Sequence, residues 1–554
     1  MGIPELSAKK SSWAGYLQIF HRFFSGGKVF DLLVIFVCLA SFGCSLMESM
    51  VNYDNAHWGW AYLAALDLKR GAIPHSEVLI FYGYIYSWIQ SVSLILFGER
   101  LMSVGIITGL FYSLTLFLSY RVFLRFLPKY LAFMGVLFIF LIHPYIIYPL
   151  ANYFAYTFQL LALIFFLRYS QNRLNGLPAG FFLCMAVLSR YSSVIAIIPP
   201  FVILLLYDYF TVQGAKKRVM GKIGIVSCGF FIPLILFFTY LFIHSALADF
   251  FYQNKMLINM MGRVGGVETY LNFLACIFQI EPSLASDFRG KLFTLILIVC
   301  LFIIIREGVI KVSGSSIKSV YARYDILAVG FVTIFGYLNS VHVYETFRLV
   351  NGASLGVGLC VLVLYNLFIN AGKPLKYSIV FMSILIFLFL SSSLFFKRTT
   401  SSYYPWNKDV LLHSGVTNKT IGIFKGKILS KEQNDFYQEA YDAIAPFKNT
   451  CFILNYTQDC FVLAMNDLPR IQIAPVNFPW LDDISKQAKL VNAHKAVILS
   501  YKPLDLPGYD KIFKRNWPDE IPWLGGGCLF IYAPKQYTDD YKILPDHENY
   551  KPHK

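Results

Sequence analysis

Apolar stretches close to twenty residues long recur between residues 29 and 395. A helix of about 20 residues crosses roughly 30 Å of hydrocarbon, so each of these stretches could span a bilayer. Hydrophobic residues make up 57 % of the 554-residue chain and charged residues only 14 %, and the mean hydropathy is +0.55. These values exclude a soluble globular protein and predict an all-α polytopic membrane domain.

The basic residues lie mainly in short loops between the apolar stretches. The formal net charge of +16 could suggest a nucleic-acid partner, but basic loops are typical of the cytoplasmic side of a membrane protein. No nucleic-acid partner is therefore expected. This pattern places residues 1–28 and the loops 121–129, 211–222 and 306–323 in the cytoplasm. Residues 78–97 would reverse the pattern if they spanned, so they are expected to lie along the interface as amphipathic helices.

About eleven transmembrane helices and some interfacial helices follow from this arrangement. The predicted spans are 29–47, 101–120, 130–148, 152–168, 178–193, 194–210, 222–243, 291–306, 324–340, 351–369 and 376–395. They divide the chain into a cytoplasmic N-terminus (1–28), a transmembrane catalytic domain (29–395) whose first extracytoplasmic loop is 48–100, and a soluble extracytoplasmic tail (396–554).

The tail is polar and mixed in composition, and it is predicted to form a small α/β domain. Ser430 and Gln433 form a capping box that predicts a helix to about residue 446. Cys451 and Cys460 could form a disulfide outside the membrane, although their spacing does not establish one. Four apolar runs are predicted to be short buried strands, at 451–455, 470–474, 496–500 and 528–532.

The stretch 53–86 concentrates ionisable groups next to the first span and is predicted to hold the functional site. Asp54 is the main candidate, since a carboxylate in a partly desolvated groove can act as general base toward a hydroxyl. It could equally cap the helix that follows, and its position alone does not decide between the two roles. Glu77 has the same ambiguity. His57 and Tyr82 are predicted to line the substrate site.

Arg190 interrupts the otherwise apolar stretch 178–210. A charge inside a membrane costs on the order of several kcal/mol, so Arg190 and Tyr191 are predicted to lie at an extracytoplasmic turn. A guanidinium there can bind a lipid phosphate through two hydrogen bonds. The alternative is an interfacial arginine that extends to water. Lys255 and Arg348 are further candidate cations for the phosphate, with pairing to nearby acids as the alternative.

His342, Glu345 and Arg348 are three residues apart, a spacing that puts them on one helical face. All three are predicted to bind substrate. A divalent metal site could be drawn from His342, Glu345, Asp54 and His57, but nothing in their spacing requires it. We prefer to interpret these four residues as hydrogen-bonded residues at the membrane interface. No metal or other cofactor is therefore expected to be required.

Several short motifs follow one another in a recognisable order. An Asp comes soon after the first span, followed by Gly-x-x-Pro-x-x-acid, by aromatic-Tyr-Gly, and by a Gly and an Arg that open the next span. The residues are Asp54, Gly71, Pro74, Glu77, Phe81, Tyr82, Gly83, Gly98 and Arg100. With the later segment 178–200, this order resembles the GT-C superfamily of integral-membrane glycosyltransferases, which includes the protein mannosyltransferases and the lipid A aminoarabinose transferases.

The resemblance covers roughly residues 29–395 and implies a sugar donor carried on polyprenyl phosphate. It also implies transfer on the extracytoplasmic face, with an Asp of the first loop, here Asp54, as the base. The tail 396–554 resembles the extra soluble domains of many bacterial members, so it is expected to contribute to acceptor choice and to take no part in bond breaking. Many members have a second acid after the third span, where this chain has Asn152. A two-carboxylate or metal-assisted mechanism of the kind that such members suggest is therefore not expected.

Together these features predict an inverting glycosyltransferase of class EC 2.4, which moves a sugar to a glycan, lipid or protein acceptor. The expected location is the bacterial inner membrane, with the site facing the periplasm. A flippase or transporter of a lipid-linked sugar is one alternative, but it would favour mid-membrane charges and internal repeats. An O-antigen polymerase or ligase is another, and it would depend on a large loop with paired arginines.

Overall fold

The computed structural model shows a helical part followed by a small mixed α/β domain. The residues that it describes are 28–51, 54–143, 149–211, 216–262, 267–283, 288–312, 324–341, 343–395, 415–457, 459–466, 468–470, 489, 491–518 and 527–538.

The helical part runs from α1 to α16. Its helices are α1 (Lys28–Val51), α2 (His57–Lys69), α3 (Tyr84–Phe97), α4 (Leu101–Phe123), α5 (Lys129–Ile142), α6 (Ala151–Leu167), α7 (Gly176–Ser189), α8 (Val194–Thr211), α9 (Lys216–Ile243), α10 (Leu247–Gly262), α11 (Val267–Ile277), α12 (Phe288–Val312), α13 (Tyr324–Gly336), α14 (Thr346–Ala353), α15 (Gly356–Asn370) and α16 (Lys373–Phe395).

Six helices in the described part are long and apolar enough to cross a membrane, or seven if α14 and α15, which meet at 75°, form one bent span. These seven coincide with seven of the predicted spans. The other four predicted spans coincide with α5, α6, α7 and α13, in the class of apolar helices of 10–17 residues. At 1.5 Å per residue, such helices are shorter than the hydrocarbon layer. The helices are those of an integral membrane protein, but their lengths do not establish eleven spans.

Helix α1 shows why this part needs a membrane. Leu32 and Phe36 are 64 % and 69 % exposed, whereas Ser45 and Ser49 are fully buried. Ser45 and Ser49 lie against Gly109 and Gly105 of α4. Small residues let two helices approach closely, which is the usual basis of helix association in lipid. The large apolar side chains are left to face the lipid.

The predicted interfacial helix at 78–97 is wrong in its first part, because helix α3 begins only at Tyr84. The preceding residues lie in bends, and the Tyr191 main-chain N–H donates to the Tyr82 carbonyl at 3.0 Å. Gly83 has an extended backbone against the end of α7, where an added Cβ would lie 2.4 Å from the Leu188 carbonyl oxygen. This contact holds the aromatic motif in place and prevents an earlier helix start.

The tail contains helix α17 (Lys431–Ile444), helix α18 (Cys460–Met465) and a four-stranded sheet of order β1-β2-β4-β3. The capping box of Ser430 and Gln433 is confirmed at the start of α17. Strand β1 pairs parallel with β2, whereas β2–β4 and β4–β3 are antiparallel. The mixed sheet therefore confirms a small α/β domain. The strands are β1 (Phe452–Asn455), β2 (Ala496–Ser500), β3 (Tyr509–Asn516) and β4 (Cys528–Pro534).

The structure adds one strand to those predicted for the tail, and one predicted strand lies mostly outside the described residues. Strand β3 was not predicted, because its charged residues break the apolar run on which a strand prediction depends. Of the run predicted at 470–474, Arg470 forms an isolated bridge with Ile453, and the rest lies outside the described residues. Cys451 and Cys460 are both free thiols.

Candidate active site

Asp54 and His57 form a close pair at the start of α2. The Asp54 side chain is fully buried, and its Oδ1 accepts the His57 main-chain N–H at 2.8 Å. Its Oδ2 lies 2.8 Å from His57 Nδ1, and its carbonyl accepts the Trp58 N–H at 3.2 Å. Asp54 therefore satisfies free N–H groups of the first helical turn, as the capping interpretation expects. The same contacts fix the carboxylate in one orientation, which a general base also requires.

Arg190 lies in the connection between α7 and α8 and is only 3 % exposed. Its Nη1 donates to Ser193 Oγ at 3.0 Å and to Asn339 Oδ1 at 3.2 Å. Both acceptors are neutral. Burial and then the positive charge of Arg348 lower the pKa of Arg190 to about 9. The guanidinium is thus buried next to a second cation, an arrangement that an anion would relieve.

Glu345 and Arg348 lie at the start of α14 and form an ion pair with Nε to Oε2 of 3.0 Å. Glu345 is 3 % exposed, and burial raises its pKa to about 7, although Arg348 and, less strongly, His57 oppose the rise. The charge of His57 is felt at Glu345, and the charge of Arg348 is felt at Arg190. These four side chains therefore lie around one region. The start of α14 thus connects the Asp54–His57 pair with Arg190.

Tyr82 and Tyr191 attach the aromatic motif to the Arg190 turn. Besides the main-chain bond between them, the Tyr191 hydroxyl accepts the Tyr84 N–H at 3.1 Å. Tyr82 also acts electrostatically on Arg190. The structure therefore brings together six of the predicted site residues in addition to Asp54, namely His57, Tyr82, Arg190, Tyr191, Glu345 and Arg348.

The other three predicted substrate residues do not join this group in the described structure. Glu77 is exposed, and its Oε2 accepts the Ile73 main-chain N–H at 2.8 Å, which closes the Gly-Pro turn of the motif. Lys255 is exposed on α10. His342 lies outside the described residues.

His75 connects the first loop with α10 and was not predicted as a site residue. Its Nδ1 lies 2.9 Å from Gln253 Oε1 and its Nε2 3.3 Å from the Tyr191 hydroxyl. Burial lowers the pKa of His75 to about 4, so the ring is neutral at neutral pH. His75 has a φ of 69°, a conformation that a non-glycine residue adopts only where its surroundings fix it. Its role is to orient Tyr191 and the turn beside it.

An apolar groove lies between α3, α7 and α9. Its volume is about 220 Å³. Leu188, two residues before Arg190, forms part of its wall. The groove is lined by Tyr84, Ile85, Met185, Leu188, Pro233, Leu236, Phe237 and Tyr240. A buried cation and an apolar channel thus lie side by side, which suits a ligand with an anionic head and a hydrocarbon tail.

The candidate metal ligands do not form a cluster. In the described ranges, no three His, Cys, Asp or Glu side chains come close enough to hold a metal ion. Two members of the candidate set, Asp54 and His57, contact each other, whereas His342 lies outside those ranges. Asn152, at the position where many GT-C members have an acid, is buried at the start of α6.

The C-terminal domain packs directly on the first loop. Asn55 Nδ2 donates to Asp459 Oδ2 at 2.7 Å, and the Cys460 N–H donates to the Asn55 carbonyl at 3.3 Å. Gly59 of α2 meets Cys460 so closely that an added Cβ would lie 2.2 Å from the Cys460 Cβ. Arg470 pairs with Asp67. The loop that carries Asp54 is therefore covered by the tail.

No family model matches this sequence, and no curated protein is similar to it in sequence. Solved structures do match. The crystal structure of ArnT from Cupriavidus metallidurans bound to undecaprenyl phosphate aligns over 92 % of this chain and 98 % of its own, with 11 % identity and a TM-score of 0.53. The oligosaccharyltransferase of Archaeoglobus fulgidus in complex with zinc and sulfate aligns over 91 % of this chain and 73 % of its own, with 11 % identity and a TM-score of 0.51.

These likenesses confirm the fold that the GT-C resemblance predicted, over most of the chain. The motifs of the resemblance lie only in the membrane part, whereas the match to ArnT extends over 92 % of the chain. Identities of this size concern the fold, so the activity must be argued from the residues of the site.

Proposed function

We propose that this protein is an inverting glycosyltransferase that takes a sugar from a polyprenyl-phosphate donor. The observation that carries the proposal is the Asp54–His57 pair, with its buried carboxylate, in electrostatic range of the Glu345–Arg348 ion pair, which in turn is near the buried Arg190. One part of this site can accept a proton, and the other can bind an anion. A transfer that releases a lipid phosphate needs both functions.

In the proposed reaction, Asp54 removes the proton from an acceptor hydroxyl. The hydroxyl oxygen attacks the anomeric carbon from the face opposite the lipid phosphate. The new carbon–oxygen bond forms as the bond to the phosphate oxygen breaks, and the phosphate leaves with the electron pair. The anomeric configuration is inverted, and the proton ends on Asp54.

Arg190, with Arg348, is proposed to bind the phosphate and to stabilise the charge that it gains. Preorganised cations act strongly in a site from which water is excluded. Arg190 is already buried and oriented by Ser193 and Asn339, so little side-chain entropy is lost when the phosphate binds. Arg348 would exchange its bond to Glu345 for the phosphate.

The apolar groove beside Leu188 is proposed to hold the first isoprene units of the donor. Its walls are almost entirely hydrocarbon and aromatic, and it begins next to the Arg190 turn. ArnT, whose fold this chain shares, has been solved with undecaprenyl phosphate bound. A lipid-phosphate donor is thus consistent with both the groove and the fold.

The acceptor is proposed to be a saccharide, lipid or protein on the extracytoplasmic side. The basic loops predict that the site faces the periplasm of a bacterial inner membrane, where the reaction would modify the cell envelope. The proposed chemistry requires no cofactor. Cysteines placed singly at positions 217 and 430 test the orientation, since an impermeant thiol reagent should label only the second from outside.

The function is tested by transfer of a radiolabelled sugar from prenyl-phosphate donors in liposomes, with donor binding measured in parallel. Release of free lipid phosphate together with labelled acceptor is the expected result. Movement of the labelled lipid across the bilayer, without transfer to any acceptor offered, would instead indicate a flippase.

A further inference from the structure

Lys427 belongs to the C-terminal domain but lies in the candidate active site. It is 1 % exposed, and its Nζ lies 4.0 Å from the centroid of the Trp58 ring. Trp58 follows His57 in the first turn of α2. The negative charge of Asp54 acts on Lys427. A lysine from the last domain of the chain thus enters the environment of the proposed base.

The segment that carries Lys427 is fixed to the membrane domain. The Ile428 N–H donates to the Met50 carbonyl at 2.8 Å, near the end of α1. Gly426 has a φ of 89° and lies against Met102 of α4, where an added Cβ would be 3.0 Å from the Met102 Cγ. A glycine tolerates this left-handed backbone without strain. Because α1 ends only three residues before Asp54 in the sequence, these contacts restrict the position of Lys427 relative to the carboxylate.

Lys427 and Asp54 are both buried, so each charge has a strong effect on the other. Burial lowers the pKa of Lys427 to about 7, and the charge of Asp54 opposes that change. Burial equally favours the neutral form of a carboxylate, whereas a nearby cation favours the ionised form. Asp54 is fully buried, so a neighbouring ammonium compensates its charge.

Other titratable groups also face Asp54. His57 contacts it from α2, Glu345 acts on His57 from the start of α14, and Cys460 is within electrostatic range from α18. Burial and the charge of Asp459 raise the pKa of the Cys460 thiol, which is therefore neutral. Lys427 contributes a positive charge to this group from the C-terminal domain.

We propose that Lys427 is a positioning residue for Asp54, and that the C-terminal domain thereby takes part in the chemical step. The ammonium lies over the Trp58 ring and compensates the charge of the neighbouring carboxylate. The role rests on the proposed function, since it takes Asp54 as the base. It differs from the sequence expectation that the tail serves acceptor choice alone.

The test replaces Lys427 with Met, which retains length and removes charge, and with Arg, which retains charge. Lys425→Met is the matched control, because Lys425 is exposed only two residues away. For Lys427→Met we expect the acidic limb of the kcat profile to move up by about one pH unit. At a pH on that limb, kcat should fall about tenfold, with KM changed less than about threefold. Lys427→Arg should restore most of the rate, and Lys425→Met should match the wild type.

A purely structural role would lower the folded fraction and leave the pH profile of the folded enzyme unchanged. Thermal unfolding and size-exclusion chromatography measure the folded fraction. An unchanged acidic limb in Lys427→Met would overturn the proposal, as would an equal shift in Lys425→Met.

A second measurement needs no substrate, so it separates this proposal from the proposed function. Infrared difference spectra against Asp54→Asn isolate the Asp54 carboxyl band, and its titration midpoint should be higher in Lys427→Met than in the wild type. If no prenyl-phosphate donor supports transfer, the proposed function fails, and this midpoint still decides whether Lys427 acts on Asp54. Equal midpoints would refute that action.

Discussion

Asp54 contacts His57 twice, with Oδ1 2.8 Å from the main-chain nitrogen and Oδ2 2.8 Å from the imidazole Nδ1. The carboxylate is fully buried, whereas the His57 side chain is 24 % exposed. Two contacts from one residue fix both the position and the rotation of the carboxylate. The pair is therefore prepared before substrate binds, and the imidazole is the member nearer to solvent.

Replacing Asp54 with Asn should remove the base and retain the fold. The amide keeps an oxygen for the His57 N–H, and Asn is as good a helix cap as Asp. Because general-base catalysis contributes about 10²–10⁴-fold, turnover should fall by that factor while donor binding is unchanged. Sugar transfer and donor binding measured on the same preparation test this. Near wild-type turnover would place the base elsewhere, with Glu345 as the next candidate.

Replacing His57 with Gln tests which member of the pair takes the proton. The main-chain bond to Asp54 remains and the ring contact is altered, so we expect a loss of about tenfold, well below that of a missing base. The full pH–rate profile is the measurement. A loss as large as that of Asp54→Asn, together with disappearance of a limb in the histidine range, would identify the imidazole as the proton acceptor.

Arg190→Gln should weaken donor binding before it affects turnover. Gln can still donate to Ser193 or Asn339, but it has no charge for the phosphate. A hydrogen bond to a charged group contributes about 1.5–3 kcal/mol, so the Kd for the donor should rise roughly 10- to 100-fold. Arg173→Gln, at an exposed position near the other end of α7, is the control. An unchanged Kd for Arg190→Gln would exclude Arg190 as the phosphate ligand.

Donor binding should depend on pH through Glu345. Its pKa is about 7, so the side chain becomes neutral as the pH falls from 8 to 6. Neutral Glu345 releases Arg348 from the ion pair and raises the local positive charge. The phosphodiester of a sugar donor stays anionic over this range, so its Kd should decrease as the pH falls. Binding titrations at several pH values test this, and Glu345→Gln should bind tightly throughout. A wild-type Kd independent of pH would contradict the assignment.

Gly59→Ala should loosen the C-terminal domain. Its methyl group would lie 2.2 Å from the Cys460 Cβ, and overpacking of this kind costs about 1–3 kcal/mol. We expect a lower melting temperature and faster maleimide labelling of the buried Cys460, followed by mass spectrometry. Gly43→Ala is the control, since an added Cβ there meets no atom within 4 Å. Equal labelling of Cys460 in the two variants would show that the contact does not hold the domain.

The sequence predicted those parts of the site that have a local signal. Arg190 stands out because it interrupts an apolar stretch, and Ser430 with Gln433 forms a cap over four residues. Lys427 has no such signal, because the burial of a lysine depends on partners far away in the chain. The positions of the predicted spans agree with apolar helices for the same local reason. The number of spans cannot be predicted in the same way. Some apolar helices are too short to cross the hydrocarbon layer alone, and two helices meet in a bent pair that is long enough only when it is counted as one span.

Two acidic residues with similar neighbours in the sequence have different contacts in the structure. Glu77 and Glu345 are both acids next to aromatic residues, yet Glu77 closes its own turn and Glu345 pairs with Arg348 near His57. Local spacing could not separate them, because the difference arises from where the segments pack in three dimensions.

The contact between Asn55 and Asp459 joins residues 404 positions apart. During synthesis, the segment with Asp54 and Arg190 enters the membrane long before the segment that covers it exists. If Lys427 acts as proposed, a chain that stops before residue 427 would insert normally but would lack the charge that acts on Asp54. Fast consumption of lipid-linked sugars would then require synthesis to have passed this residue, so extension of the polypeptide itself raises the activity.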